Sequence, residues 1–321
     1  MTGALAQAAD VAASTPEPGR RRGAGRLTGK LRWIPAIVVA AYLLLAIIGP
    51  MVVPYDPIAT SLADRLKGPG SALSGGGTSL LGTDPLGRSV LDQVVYGART
   101  SVIIGALTVT LSAVFGVAVG VVAGYTRGFV DGVLSRSVDI LLAFPGIVLA
   151  IVVAGLFSRG ITVVVVALAL TGWISFARLS RGLALSLRDR EWVSAARVMG
   201  LPWRTIVTRH VLPFVLGPVV ALATIEFGLI VLAEAGLSFL GIGLPPSTVS
   251  WGQTISTGKE YLSTAWWISL FPGLALALLV VSVGLLGDQF NAFFGSGARR
   301  GPARSTVPAA RDDASGLERS H

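Results

Sequence analysis

Apolar residues in this chain gather into long runs rather than alternating with polar ones. A bilayer core about 30 Å thick is crossed by about 20 apolar residues of α-helix, at about 1.5 Å per residue. Six stretches approach or meet that length: Trp33 to Val53, Ser101 to Gly124, Val138 to Phe157, Ile161 to Phe176, Val211 to Ala233 and Ala265 to Leu286. The fourth is the shortest and ends at the arginines Arg178 and Arg181. The pattern predicts an all-α, polytopic membrane protein with six transmembrane helices. Residues 1–32 and 291–321 are rich in Ala, Gly and Arg without periodicity, and are expected to be disordered tails.

Composition agrees with that reading. Hydrophobic residues make up 52% and charged residues 13% of the chain, about half the charged fraction of a soluble domain. The net charge of +9 could suggest a nucleic-acid partner, but its placement argues for a membrane instead. With both termini in the cytoplasm and the spans alternating, 20 of the 26 Lys and Arg lie inside and six outside, as the positive-inside rule requires. The apolar run from Trp33 is longer than a signal-peptide core and has no small-residue cleavage site behind it, so it reads as a retained first span. The absence of cysteine excludes disulfides and thiol chemistry, and two histidines are too few for a His-rich metal site.

Three features say more than membrane. Ser112, Gly116, Gly120 and Gly124 recur every four residues, leaving one helix face nearly bare for a neighbouring backbone. Packing within one bundle and a subunit interface are both open for it. Pro145, Pro213, Pro218 and Pro272 fall in or beside spans, where the carbonyls they free need neighbours or a water-filled path. Between the fourth and fifth spans, Trp192, Ala195, Ala196 and Met199 follow a helical repeat, with Arg190, Ser194 and Arg197 opposite. Gly200 stands where a helix end wants positive φ, and Pro202 suits the start of the next helix. Such a short amphipathic helix could lie on lipid, dock on a cytoplasmic partner or pack against the bundle. Its small, shallow stripe favours a partner over lipid.

The segment from Glu191 through Trp192, Ala195, Ala196 and Gly200, with Ile206, His210, Leu212 and Pro213, resembles the EAA motif of ABC importer permeases. Leu81 to Ser89 and Tyr96 to Ser101 are similar to the GTD-x-x-GR and YGAR-x-S segments of C-type permeases of dipeptide, oligopeptide and nickel importers. Glu234 to Gly243, with Pro245, Pro246, Trp251 and Gly252, resembles their EA-x-LSFLG-x-G segment. Phe271 to Gly273 and Leu286 to Asp288 match their last span and its end. The chain departs from the pattern at Ser89, at Phe214 and in the residues after Asp288.

The resemblance covers roughly residues 30 to 290. It implies a type I ABC importer permease fold, with residues 33–98 a first span and extracytoplasmic segment and 99–290 the permease domain. It implies that Glu191, Trp192, Ala195, Ala196, Met199, Gly200 and Leu201 form the helix that couples to an ATPase. The implied partners are a homologous B-type permease, two ABC ATPase subunits or domains, an extracytoplasmic substrate-binding protein and the lipid bilayer. No Walker A sequence occurs, since neither Gly29-Lys30 nor Gly258-Lys259 has the required flanks. The chain is therefore expected to be non-catalytic and to bind no cofactor itself.

Glu226 falls within the fifth span and would be costly facing lipid. A substrate amino group, a structural hydrogen bond and protonation in place are all open for it. Glu234 and Ser238, near the outer end, are candidates for the pathway or gate, and the resemblance implies a structural or gating role for Glu234. A secondary transporter would share the composition but need no docking helix. A hydrolase would need Ser238 and His210 together, and the topology puts them at opposite faces. The implied cargo is a dipeptide or oligopeptide, with nickel or haem as alternatives.

Overall fold

The computed structural model describes residues 33–53, 56 and 59–298, and side chains through 292. The tail from 1 to 32 lies outside the described residues, as does 299–321. Helix α1 is Ile34–Val52, and a hairpin of β1, Ser71–Ala72, and β2, Thr78–Ser79, follows it. The remaining elements are helical: α2 Val90–Thr126, α3 Phe129–Leu142, α4 Gly146–Leu156, α5 Ile161–Arg188, α6 Glu191–Val198 and α7 Trp203–Ile206. After a π-helical stretch at Val207–Val211 come α8 Leu212–Phe239, α9 Trp251–Gly258 and α10 Trp267–Ala298. Five continuous helical stretches are long and apolar enough to cross a membrane, and α3 with α4 makes a sixth if the bent pair counts as one span.

That bent pair corrects the expected third span. Residues 138–157 do not form one straight helix, because α3 and α4 meet at 84°. Pro145 has no N–H to continue the α3 ladder and biases Phe144 away from helical backbone. The fourth span is corrected in the other direction, since α5 runs twelve residues beyond Phe176 to Arg188. The arginines do not end the helix: Arg181 pairs with Asp131 on α3, one contact being Nη2 to Oδ2 at 2.9 Å. Helix α10 likewise continues past 290 to Ala298, so the expected tail begins in helix.

The bare stripe of α2 packs inside the bundle, against the backbone of α5. A Cβ on Gly116, Gly120 or Gly124 would fall 2.5, 2.3 or 2.5 Å from the carbonyl oxygens of Trp173, Ala177 and Arg181. Backbone thus meets backbone along two turns, which only glycine allows. The main core lies between α2, α5 and α8, with Ile104, Phe176, Val215 and Leu237 fully enclosed. Outward side chains such as Ile37, Leu107, Val114 and Leu278 are apolar and exposed, as a lipid-facing surface demands.

Prolines inside the helices are absorbed locally. Pro213 occupies the first turn of α8, and the π-helical stretch directly before it takes up the lost ladder bond. Pro218 and Pro272 lie within unbroken helices.

Candidate functional site

Helix α6 projects at one end of the bundle, between α5 and α8. Arg190 caps its start with extended backbone, and Glu191 places a carboxylate in the first turn, where the helix dipole favours it. Its other end is a Schellman turn. Gly200 has φ +79°, its N–H donates to the Arg197 carbonyl at 3.1 Å, and the Leu201 N–H donates to the Ala196 carbonyl at 3.2 Å. The helix stop read from Gly200 is thus present in full.

The two alanines of the motif face opposite ways. Val193 and Ala196 are 0% and 1% exposed and belong to the main core, whereas Ala195 is exposed beside Trp192 and Met199. The sequence stripe of Trp192, Ala195, Ala196 and Met199 is therefore corrected: Ala196 anchors the helix to its own chain and cannot lie on an outward contact face. Val198, absent from that stripe, is 89% exposed, and Met199 is 72% exposed. An eight-residue helix with inward residues three apart leaves its remaining apolar side chains outside.

Surrounding contacts hold this end firm. The Trp192 ring lies 5.2 Å from that of Phe214 and 6.2 Å from that of His210. Phe214, the departure from the family pattern, thus supplies an aromatic support under the helix. Arg188 donates to the Tyr125 carbonyl at 2.7 Å, and Arg188 and Arg197 both stand 5.9 Å from the Tyr125 ring. Arg127 and Asp189 pair at 2.7 Å between the ends of α2 and α5. A cavity of about 340 Å³ opens there, lined by Tyr125, Arg188, Arg197, Leu201, Trp203 and Ile206.

The opposite end of the bundle carries a polar network. Glu234 is fully enclosed, accepting from Ser238 Oγ at 2.7 Å and from Ser101 Oγ at 3.2 Å. Its carboxylate therefore ties α8 to α2. Helix α9 wedges against both: the Trp251 ring covers Gly97, Trp251 Nε1 donates to the Val94 carbonyl at 2.9 Å, and Gly252 meets the Ala235 carbonyl. Asp84 accepts from Arg88 Nε at 2.7 Å and Gln93 Nε2 at 2.9 Å, and Thr254 donates to Gln93 Oε1 at 3.0 Å. Gln93 and Thr254 lie outside the segments that carry the family resemblance, and of these four residues only Asp84 and Arg88 fall within them, so the sequence alone does not point to the pair.

A second knot lies in the segment before α2. Asp64 accepts from Lys67 Nζ at 2.7 Å, from the Ser74 N–H at 2.7 Å and its hydroxyl at 2.7 Å, and from Ser61 Oγ at 2.8 Å. These donors hold its carboxyl well below the usual carboxylate range, with the Lys67 bond the largest cause.

Glu226 is half-buried on α8 with no hydrogen-bond or ionic partner among the described residues. It lies eight residues from Glu234, about 12 Å along the helix, and outside that cluster. Ser238 and His210 are separated by 28 residues of one helical stretch, so no nucleophile–base pair forms.

Comparison with known proteins gives the arrangement a family. Residues 116–300 match the family described as binding-protein-dependent transport system inner membrane component. The dipeptide transport system permease protein DppC of Escherichia coli K12 is 42% identical over 253 residues, 78% of this chain and 84% of that protein. The di/tripeptide transport system permease protein DppC of Pseudomonas aeruginosa UCBPP-PA14 is 35% identical over 244 residues, 76% of this chain and 80% of that protein. A chain of the methionine ABC transporter MetNI in an inward-facing conformation superposes with a TM-score of 0.53 at 22% identity, covering 63% of this chain and 96% of that one. This chain accordingly belongs to the binding-protein-dependent ABC importer permeases, as a multi-pass membrane subunit with the type I fold.

Proposed function

We propose that this chain forms half of the translocation path of an ATP-driven peptide importer and receives its driving force through α6. A second permease completes the path, ATPase subunits bind and hydrolyse the nucleotide, and an extracytoplasmic binding protein delivers the cargo. The chain itself is non-catalytic and binds no cofactor. Both termini lie in the cytoplasm, on the side of α6. The peptide cargo is supported by relatives named for dipeptide and di/tripeptide transport.

The observation that carries this reading is the division of α6 into two faces. Val193 and Ala196 fix it to the core, while Val198 and Met199 stand almost fully exposed at its tip. A rigid helix with an outward apolar tip transmits a partner's movement to α5 and α8 instead of yielding to it. A lipid-surface helix would bury a broad Leu- and Phe-rich face, which α6 lacks.

The test is co-purification. Val198→Asp leaves the inward contacts of α6 untouched and puts a charge on the proposed contact. It should reach the membrane at normal levels, shed the ATPase subunits and lose ATP-driven uptake. A Val198→Asp chain that keeps its ATPases and transports normally contradicts the coupling role.

A further inference from the structure

Glu226 sits at the centre of α8, fourteen residues from Leu212 and thirteen from Phe239. At about 1.5 Å per residue α8 is about 42 Å long, whereas a bilayer core is about 30 Å thick. Arg204 and Arg209 keep the stretch before α8 out of the hydrocarbon. Wherever α8 slides within those limits, Glu226 stays about 8 Å or more inside the core. Its side chain has no hydrogen-bond or ionic partner among the described residues.

The face that carries Glu226 is turned away from most of the chain. Glu226, Leu229, Ala233, Gly236 and Leu240 follow a helical repeat and share one stripe. Leu229 is 55% and Leu240 58% exposed, and the other three are half-buried. Gly228, Val231 and Ala235, on the opposite side, are buried against α10, α2 and α9. Helix α4 reaches the stripe near its outer end, where a Cβ on Gly236 would stand 3.9 Å from Ile147 Cδ1. At mid-membrane the stripe is thus partly uncovered by its own chain, and there it carries a carboxyl group. A carboxyl group at that depth faces a water-filled path or a partner subunit rather than lipid.

A cation is the natural counterpart of this group, and chemistry narrows which one. A calcium or magnesium ion takes about six or more oxygen ligands, and no group of three His, Cys, Asp or Glu that could hold a metal occurs among the described residues. An ammonium needs fewer acceptors, since it only donates hydrogen bonds, and a peptide with a free amino terminus carries one. We propose that Glu226 lines the translocation path and binds the α-ammonium of the peptide as it crosses the middle of the membrane. The proposal rests on the peptide reading above and deepens it by naming the residue that selects a free amino terminus.

The chain has no cysteine, so Leu229→Cys places a single reporter beside Glu226 on the exposed stripe. Leu278→Cys, on the lipid-facing side of α10, is the control at similar depth, since Val280 packs at Gly228. The complete importer in lipid nanodiscs is labelled with a water-soluble maleimide, and this chain is followed by mass, at rest and after trapping with ATP and vanadate. The Leu229→Cys reporter should react in at least one state and the control in neither. Alanyl-alanine should protect the reporter; at four times its Kd labelling slows about fivefold, since protection follows 1 + [L]/Kd. N-acetyl-alanyl-alanine at that concentration should protect little. Glu226→Gln, added to the reporter, should assemble normally, keep the labelling and lose the protection. A reporter as silent as the control puts this face outside the path and overturns the proposal. Absence of protection, equal protection by the two peptides, or full protection in the Glu226→Gln chain overturns it as well. A Glu226→Gln chain that drops out of the complex also overturns it, by pairing the carboxyl group with the second permease. If the unmodified importer takes up alanyl-alanine while no protection occurs, the site fails and the peptide reading stands. If it takes up no peptide at all, that reading fails and the site falls with it.

Discussion

At Gly120 the α2 backbone comes so close to the Ala177 carbonyl that a single added methyl group has no room, a Cβ falling 2.3 Å from that oxygen. The obstacle is backbone and cannot rotate away. Gly120→Ala should therefore separate α2 from α5 and cost about 1–3 kcal/mol, the usual penalty of overpacking. A lowered midpoint in thermal unfolding of the purified permease would show it, and an unchanged midpoint would mean that the two helices are looser. Gly200 makes a different demand: open space surrounds it, but its φ of +79° penalises a β-branched residue by about 1–3 kcal/mol. Asp64 acts through charge. Its folded-state affinity for a proton is reduced, so its contribution to stability is complete above the ordinary value of 3.8 and is lost as pH falls below it. Protection of the amides across residues 61–74, relative to their intrinsic exchange rate at each pH, should thus be high near neutral pH and fall in strong acid. Asp64→Asn should show low protection at both.

Individual elements differ in how much of them could be read beforehand. Gly200 and the spacing around it announced the end of α6, because a left-handed helix stop depends on one local conformation. The inward and outward faces of that helix were not legible, since Val193 and Ala196 against Trp192 and Met199 form two equally good helical stripes. Which of them meets the core depends on where α5 and α8 stand. The bend at Pro145 was visible only as a proline near a span, whereas the 84° turn reflects how α4 packs on α5. The buried Glu234 site was half legible: its two ends came from the motif segments, and its partner Ser101 lies 133 residues away. The alanine pair turns this into an experiment. Ala196→Glu buries a charge without a partner and should reduce the amount of folded chain. Ala195→Glu should leave the chain folded and stable in detergent yet release the ATPases. Equal loss of folded chain in both variants would contradict the assignment of the two faces.

Across the whole molecule, polar machinery concentrates at the two ends and apolar surface covers the middle. One end presents α6, braced by Tyr125, Arg188 and Phe214; the other is locked by Asp84, Gln93, Glu234 and Thr254. The proposed orientation puts exposed Ser247 outside and exposed Ser194 inside. In this cysteine-free chain, Ser247→Cys should react with an impermeant maleimide on intact cells, and Ser194→Cys only after the cells are opened. The reverse pattern would invert the topology. On the function proposed above, ATP energy enters through α6 and leaves as peptide movement between the α2, α5 and α8 helices. The most direct measurement is dipeptide uptake into proteoliposomes holding both permeases and the ATPases, with the binding protein supplied on the side opposite α6. Concentrative uptake should require both ATP and the binding protein and be abolished by Val198→Asp. Uptake that continues without ATP, or that Val198→Asp leaves intact, would contradict it.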